Sequence, residues 1–145
     1  MNLHRPFEIK PAEIKPHHER LAVVYLRQST PHQVQTHAGS TMHERDQRQF
    51  ALGWGWSQGA IVVIDDDLGL PGQSAAHQAG FQRLLKLIER REVGAIFISD
   101  PSRLTRSSRE FEIFLAFCRV TDTLLVVGGA IADLNDHQDG FVARI

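Results

Sequence analysis

Four short runs rich in β-branched residues limit what this chain can fold into: LAVVYL (21–26), AIVVID (60–65), VGAIFIS (93–99) and TLLVVG (123–128). Each is continuously apolar rather than alternating, the pattern of a strand buried on both faces of a parallel sheet. Parallel neighbours need a crossover of about a dozen residues or more, and the intervals between the runs supply them. The stretch 78–91 places Phe81, Leu84, Leu85 and Ile88 on one helical face, with Arg83, Lys86, Glu89 and Arg90 turned away. The stretch 107–120 repeats that pattern with Phe111, Phe114, Leu115 and Cys118, and opens with the capping box Ser107-x-x-Glu110. The segment 32–54 is less periodic; its length, the Gly53 stop and Thr41-x-x-Glu44 predict a helix there. The chain thus reads β-α-β-α-β-α-β, a three-layer α/β sandwich with a mainly parallel sheet and right-handed crossovers. The final NDHQDGFVARI would begin a further helix.

Composition narrows the class. With 42% hydrophobic and 23% charged residues in 145, one domain with a real core is expected. No apolar run reaches the roughly 18–20 residues of a membrane span, and the start lacks the apolar centre of a signal peptide. Cys118 is the single cysteine, which excludes an intramolecular disulfide and fits a cytoplasmic setting. Sixteen basic against seventeen acidic residues leave a net charge of −1, so any case for a nucleic-acid partner must rest on local arginines. Residues 1–20 hold three of the six prolines, three of the eight histidines and a tandem Glu-Ile-Lys-Pro at 8–11 and 13–16. They read as a flexible, polyproline-like leader in which His17 and His18 bind no metal, before a domain spanning 21–145.

Ligands of an open parallel sheet bind beyond the carboxyl ends of its strands. The first strand ends in Tyr25, Arg27 and Ser29, which alternation places on one side. The third ends in Ser102-Arg103-Leu104-Thr105-Arg106, the second in Asp65-Asp66-Asp67, the fourth in Gly128-Gly129. A hydroxyl facing arginines suits phosphate chemistry: guanidinium groups stay charged, donate in a planar fork and stabilise added negative charge without a metal. Serine would be the nucleophile. The same residues also suit a polar strand end beside a capped helix start. The three aspartates invite a divalent cation, yet are read as a solvated loop edge. His32, His37, His43 and His77 lack the i, i+4 spacing of a helical metal site. Trp54 and Trp56 should seal the end of the first helix, and Arg83, Lys86, Arg90 and Arg91 form a solvated basic face.

Together, Tyr25-x-Arg27-x-Ser29-x-x-x-Gln33, the loop Asp67-Leu68-Gly69, Gly80-Phe81-Gln82-Arg83-Leu84-Leu85 and Ser102-Arg103-Leu104-Thr105-Arg106-Ser107 resemble the catalytic domain of the serine site-specific recombinases, the resolvase/invertase family. The likeness covers about residues 21–140 and is closest to the large and transposon-borne branch. It implies a strand order of 2-1-3-4, with Ser29 and Arg103 side by side. It implies attack of Ser29 on a DNA phosphodiester to form a 5′-phosphoserine link, with no metal or other cofactor. By the same resemblance Arg27 is a phosphate ligand, Arg103 and Arg106 stabilise the transition state or leaving oxygen, and Tyr25, Gln33, Gln78 and Ser102 support them. The implied partners are double-stranded DNA and further copies of the chain, dimer to tetramer, in a full-length protein whose C-terminal DNA-binding part is absent here. No membrane is involved. Gln78 stands where the family usually carries an arginine, and Ser102 where many members carry an acid. In the first helix, Arg45 and Gln47 stand where apolar residues are usual. A neutral amide supplies no charge to a developing dianion. A non-catalytic, resolvase-like interaction or regulatory module is therefore the alternative reading.

Overall fold

Burial on both faces explains why the strand runs are continuously apolar. In the computed structural model, which describes residues 14–27, 38–67, 78–105 and 107–134, β1 (Leu21–Tyr25), β2 (Ile61–Ile64), β3 (Val93–Ile98), β4 (Leu124–Val127) and β5 (Ala130–Ile131) form one sheet in the order β2-β1-β3-β4-β5. The pairs β1–β2, β1–β3 and β3–β4 are parallel, as the four apolar runs predict. Helices α1 (Ala38–Gly53), α2 (Ala79–Glu89) and α3 (Ser108–Thr121) connect them. The expected start of the first helix, residues 32–37, lies outside the described residues, as does the C-terminal helix expected in the last eleven.

Alternation along the strands divides the core. Val23, Tyr25, Ile96, Ile98 and Leu125 pack with Phe81, Leu84 and Ile88 of α2 and Phe111, Phe114, Leu115 and Cys118 of α3. Ala22, Val24, Ala95, Phe97 and Val126 pack on the other side with Ala51 of α1 and with Trp56. Each buried large side chain contributes about 1.5–3 kcal/mol relative to exposure, and the two clusters give the sandwich its three layers. Gln47 is buried despite its polarity, while Arg45 stays exposed. Cys118 is buried, and its thiol is pushed up to about 12 by loss of solvent.

Two features depart from expectation. The polyproline-like leader does not extend through residue 20: Ile14 is buried and Lys15–Glu19 forms a 3₁₀ turn packed on the sheet. His18 Nε2 donates to the Trp54 carbonyl at 2.8 Å, with its ring edge-on to Trp56 at 4.6 Å between centroids. Arg20 donates to the carbonyls of Val93 (2.9 Å), Thr121 (3.1 Å) and Asp122 (2.6 Å), capping the end of α3. These long-range contacts outweigh the local Pro-rich signal. The turn crosses β3 at Gly94, where the β1–β3 register shifts and a Cβ would run into the His17 carbonyl oxygen. The second departure is β5. Gly128 and Gly129 have φ of 57° and 87°, the positive values a two-residue hairpin turn requires, and β5 returns antiparallel to β4. That strand end is therefore a turn, closed by Trp54 Nε1 donating to the Gly129 carbonyl at 2.9 Å.

Candidate functional site

The strand order makes β1 and β3 neighbours whose connections leave in opposite directions, the switch point at which an open α/β sheet binds ligands. Both strands end there in arginine-bearing segments, and the two segments clasp each other. Arg27, 3% exposed, donates from Nε to the Arg103 carbonyl at 2.9 Å and from Nη2 to the Ser102 carbonyl. Arg103 returns a bond from Nη1 to the Arg27 carbonyl at 3.3 Å. A guanidinium stays charged even when this well buried, and its planar fork matches two successive carbonyls, which an ammonium would not.

Asp100 shapes the turn that presents Arg103. Its carboxylate accepts from the Ser102 amide at 2.9 Å and from the Ser102 hydroxyl, and lies 3.4 Å from Arg103 Nε. Pro101, at the start of the 3₁₀ turn Pro101–Arg103, has no amide hydrogen to leave unsatisfied. Ser102, read from the sequence as a supporting residue, thus acts within the turn. Further on, the expected capping box is half present: Ser107 Oγ accepts from the Glu110 amide at 3.3 Å. The Glu110 carboxylate does not return to the Ser107 amide. It accepts from Thr105 Oγ1 at 2.7 Å, and Thr105 Oγ1 accepts from the Ser107 amide at 3.0 Å.

Tyr25 is buried at the end of β1, and its hydroxyl donates to Asp67 Oδ2 at 2.5 Å. Burial, then that bond and the carboxylate's charge, hold the phenol well above its usual range, with Arg27 pulling weakly the other way. It stays protonated and donating. Asp67 is 0% exposed and also accepts from the amides of Gly80 and Phe81, each at 2.8 Å. It is therefore the N-terminal cap of α2, supplied from thirteen residues away, where Gln78 makes no side-chain cap. A Cβ at Gly80 would sit 2.7 Å from Asp67 Oδ2, which gives the Gly80-Phe81 pair its physical reason.

The solvated-edge reading consequently fails for Asp67 and holds for its neighbours: Asp65 and Asp66 face solvent, Asp66 3.5 Å from Arg83. The capping role escaped sequence reasoning because the amides it satisfies lie beyond an intervening loop. The available signal was that Asp67 and Gly80-Phe81 both stand in segments that carry the family resemblance. Gln78 is buried at the entrance to α2. Ser29, Gln33 and Arg106 lie outside the described residues. The structure thus brings together Arg27, Ser102 and Arg103 on one side, and Tyr25, Asp67 and the start of α2 on the other. Among the described residues no group of three or more His, Cys, Asp or Glu is arranged to hold a metal ion, and no helix is long and apolar enough to cross a membrane.

Comparison with known proteins agrees with this geometry. The family described as "Resolvase, N terminal domain" matches residues 22–145. The uncharacterized protein y4bA/y4pH of Sinorhizobium fredii (strain NBRC 101917 / NGR234) is 31% identical over 117 residues, which span 81% of this chain and 17% of that protein. The N-terminal catalytic domain of TP901-1 integrase superposes with a TM-score of 0.67 at 18% identity, over 86% of this chain and 90% of that one. The C-terminal catalytic domain of ISC1926 TnpA, an IS607-like serine recombinase, gives 0.62 at 24% identity, over 74% and 66%. At these identities the structural likeness is one of fold.

Proposed function

The chain belongs to the resolvase N-terminal domain family, and from that premise we propose that it is the catalytic domain of a serine recombinase that cuts and rejoins double-stranded DNA. Family and fold support DNA recombination in general. The finer reading rests on one observation, the reciprocal bonds between Arg27 and Arg103, which join two arginine-bearing strand ends two residues in sequence before Ser29.

In this reading Ser29 Oγ attacks the phosphorus. Its proton leaves, a bond to Oγ forms, and the P–O3′ bond breaks with protonation of the departing 3′ oxygen. The product is a 5′-phosphoserine link and a free 3′ hydroxyl. Arg103 and Arg106 carry the charge that stabilises the five-coordinate phosphorus, and Arg27 adds charge while holding the turn of Arg103. Tyr25, Gln33, Gln78 and Ser102 support them. Rejoining reverses the step, so energy is conserved in the ester and neither nucleotide nor metal is called for. A homo-oligomer acting on DNA in the cytoplasm belongs to the same proposal.

Trapping of a covalent protein–DNA adduct by the full-length protein, on DNA that it binds, tests the reading. Ser29→Ala should abolish the adduct and leave binding and thermal stability unchanged. An undiminished adduct overturns the assignment of Ser29. Gln78, buried and neutral at the entrance to α2, favours a second reading as a non-catalytic module. That reading requires no adduct from the unmodified protein on a site it binds.

A further inference from the structure

A standard capping box closes on itself: the N-cap hydroxyl takes the N3 amide, and the N3 carboxylate returns to the N-cap amide. At the start of α3 the second half is rerouted through Thr105. The Ser107 amide donates to Thr105 Oγ1 at 3.0 Å, and Thr105 Oγ1 donates to Glu110 Oε2 at 2.7 Å. Thr105 is 0% exposed, so its hydroxyl has no access to water as a substitute partner. The effect is mechanical. An ordinary box fixes only the first turn of a helix, whereas this one ties the helix to a residue two positions before its N-cap.

The segment preceding Thr105 is held as well. Asp100 binds the Ser102 amide and Arg103 Nε, Arg27 binds the carbonyls of Ser102 and Arg103, and the Leu104 amide closes on the Pro101 carbonyl at 3.1 Å. The Thr105–Glu110 pair is thus the last of four fastenings along the stretch from Asp100 to Ser107, and the one that couples it to the rigid body of α3. In sequence, Arg106 falls between Thr105 and Ser107, the residue whose amide donates to this hydroxyl.

Building on the proposed function, we propose that Thr105 and Glu110 are positioning residues of the cleavage site, acting through the arginines of this turn rather than by touching DNA. Charge donors to a transition state must be placed to a fraction of an ångström, and a displacement of about 1 Å can cost on the order of a hundredfold in rate. A valine at position 105 keeps the shape and removes the relay. A serine restores the hydroxyl.

The test compares adduct formation by the unmodified full-length protein and its Thr105→Val, Thr105→Ser, Arg106→Ala and Thr105→Val/Arg106→Ala variants on bound DNA, with affinity and melting temperature measured in parallel. Thr105→Val should lower the cleavage rate by about ten- to a hundredfold at unchanged affinity. Thr105→Ser should recover most of the rate, and the double variant should lose clearly less than the product of the two single losses, because part of what Thr105 positions is already gone once Arg106 is removed. Independent, multiplicative losses, or a Thr105→Val rate equal to that of the unmodified protein, overturn the positioning role while leaving the recombinase reading intact. Absence of any adduct from the unmodified protein overturns both, and is recognised as such because it precedes every comparison.

Discussion

Asp67 offers the sharpest test of how this fold is held together, because Asp67→Asn changes one atom type in a fully buried carboxylate with three donors around it. Oδ1 takes the Gly80 amide, and Oδ2 takes both the Phe81 amide and the Tyr25 hydroxyl. An asparagine has one acceptor oxygen and one donor nitrogen. With its oxygen in the place of Oδ2, the new NH2 group faces the Gly80 amide. Turned over, it faces the Phe81 amide, while the Tyr25 hydroxyl rotates to accept from it. Either way one buried N–H of the first turn of α2 loses its acceptor, at about 1–3 kcal/mol, and the bonds that remain lose their charge assistance, roughly 1 kcal/mol more. The expected loss is about 2–4 kcal/mol, a large share of the roughly 5–15 kcal/mol that keeps a domain folded. Urea unfolding followed by the fluorescence of Trp54 and Trp56 measures it. Asp66→Asn is the internal control: that carboxylate is partly exposed and 3.5 Å from the half-exposed Arg83, so its loss should stay within about 0.5 kcal/mol. If Asp67→Asn falls in the same range as Asp66→Asn, the account of Asp67 as the buried cap of α2 is wrong.

Three further outcomes follow from the same structure. Gln78→Arg should raise the rate of adduct formation by about ten- to a hundredfold, corresponding to one charge-assisted bond of about 1.5–3 kcal/mol, and an unchanged rate would show that position 78 plays no part in charge stabilisation. Gly94→Ala should lower stability by about 1–3 kcal/mol in urea unfolding, since its Cβ is directed at the His17 carbonyl and the 3₁₀ turn must lift; equal stability would mean that residues 14–20 are not packed on β3. The Cys118 thiol, pushed up to about 12 from an ordinary 9.0, should react with a thiol reagent at neutral pH only after unfolding. Above pH 9 the unfolded chain releases this proton before the folded one, so stability should fall as pH rises toward 12. Cys118→Ala should flatten that slope, and an unaltered slope would argue against the thiol's contribution.

What could be read from the sequence alone is what short-range patterns carry. Apolar runs of six or seven residues marked β1 to β4, and the spacing of Phe81, Leu84, Leu85 and Ile88 marked the buried face of α2. Ser107-x-x-Glu110 marked the start of α3, and the order of these pieces implied a parallel sheet with helices on both faces. Each such signal depends on residues within about two turns of one another, so the local chain suffices to express it. β5 was missed although its Gly-Gly turn is local, because a strand of two residues has no periodicity to detect.

The tertiary structure alone decided which polar groups meet. Arg27 could be assigned to a strand end from its neighbours, yet its use as a clasp on Ser102 and Arg103 depends on β1 and β3 lying side by side, which brings together groups some seventy-five residues apart. Asp67 had the composition of a solvated loop edge and became a buried cap because β2 delivers it beneath the start of α2. Residues 14–20 had the composition of a leader and became part of the fold because Ile14, His18 and Arg20 found the α1 face, Trp56 and the end of α3. Hydrophobic periodicity is a property of the chain itself, whereas the partner of a buried polar group is fixed only when distant segments are brought within about 3 Å of it.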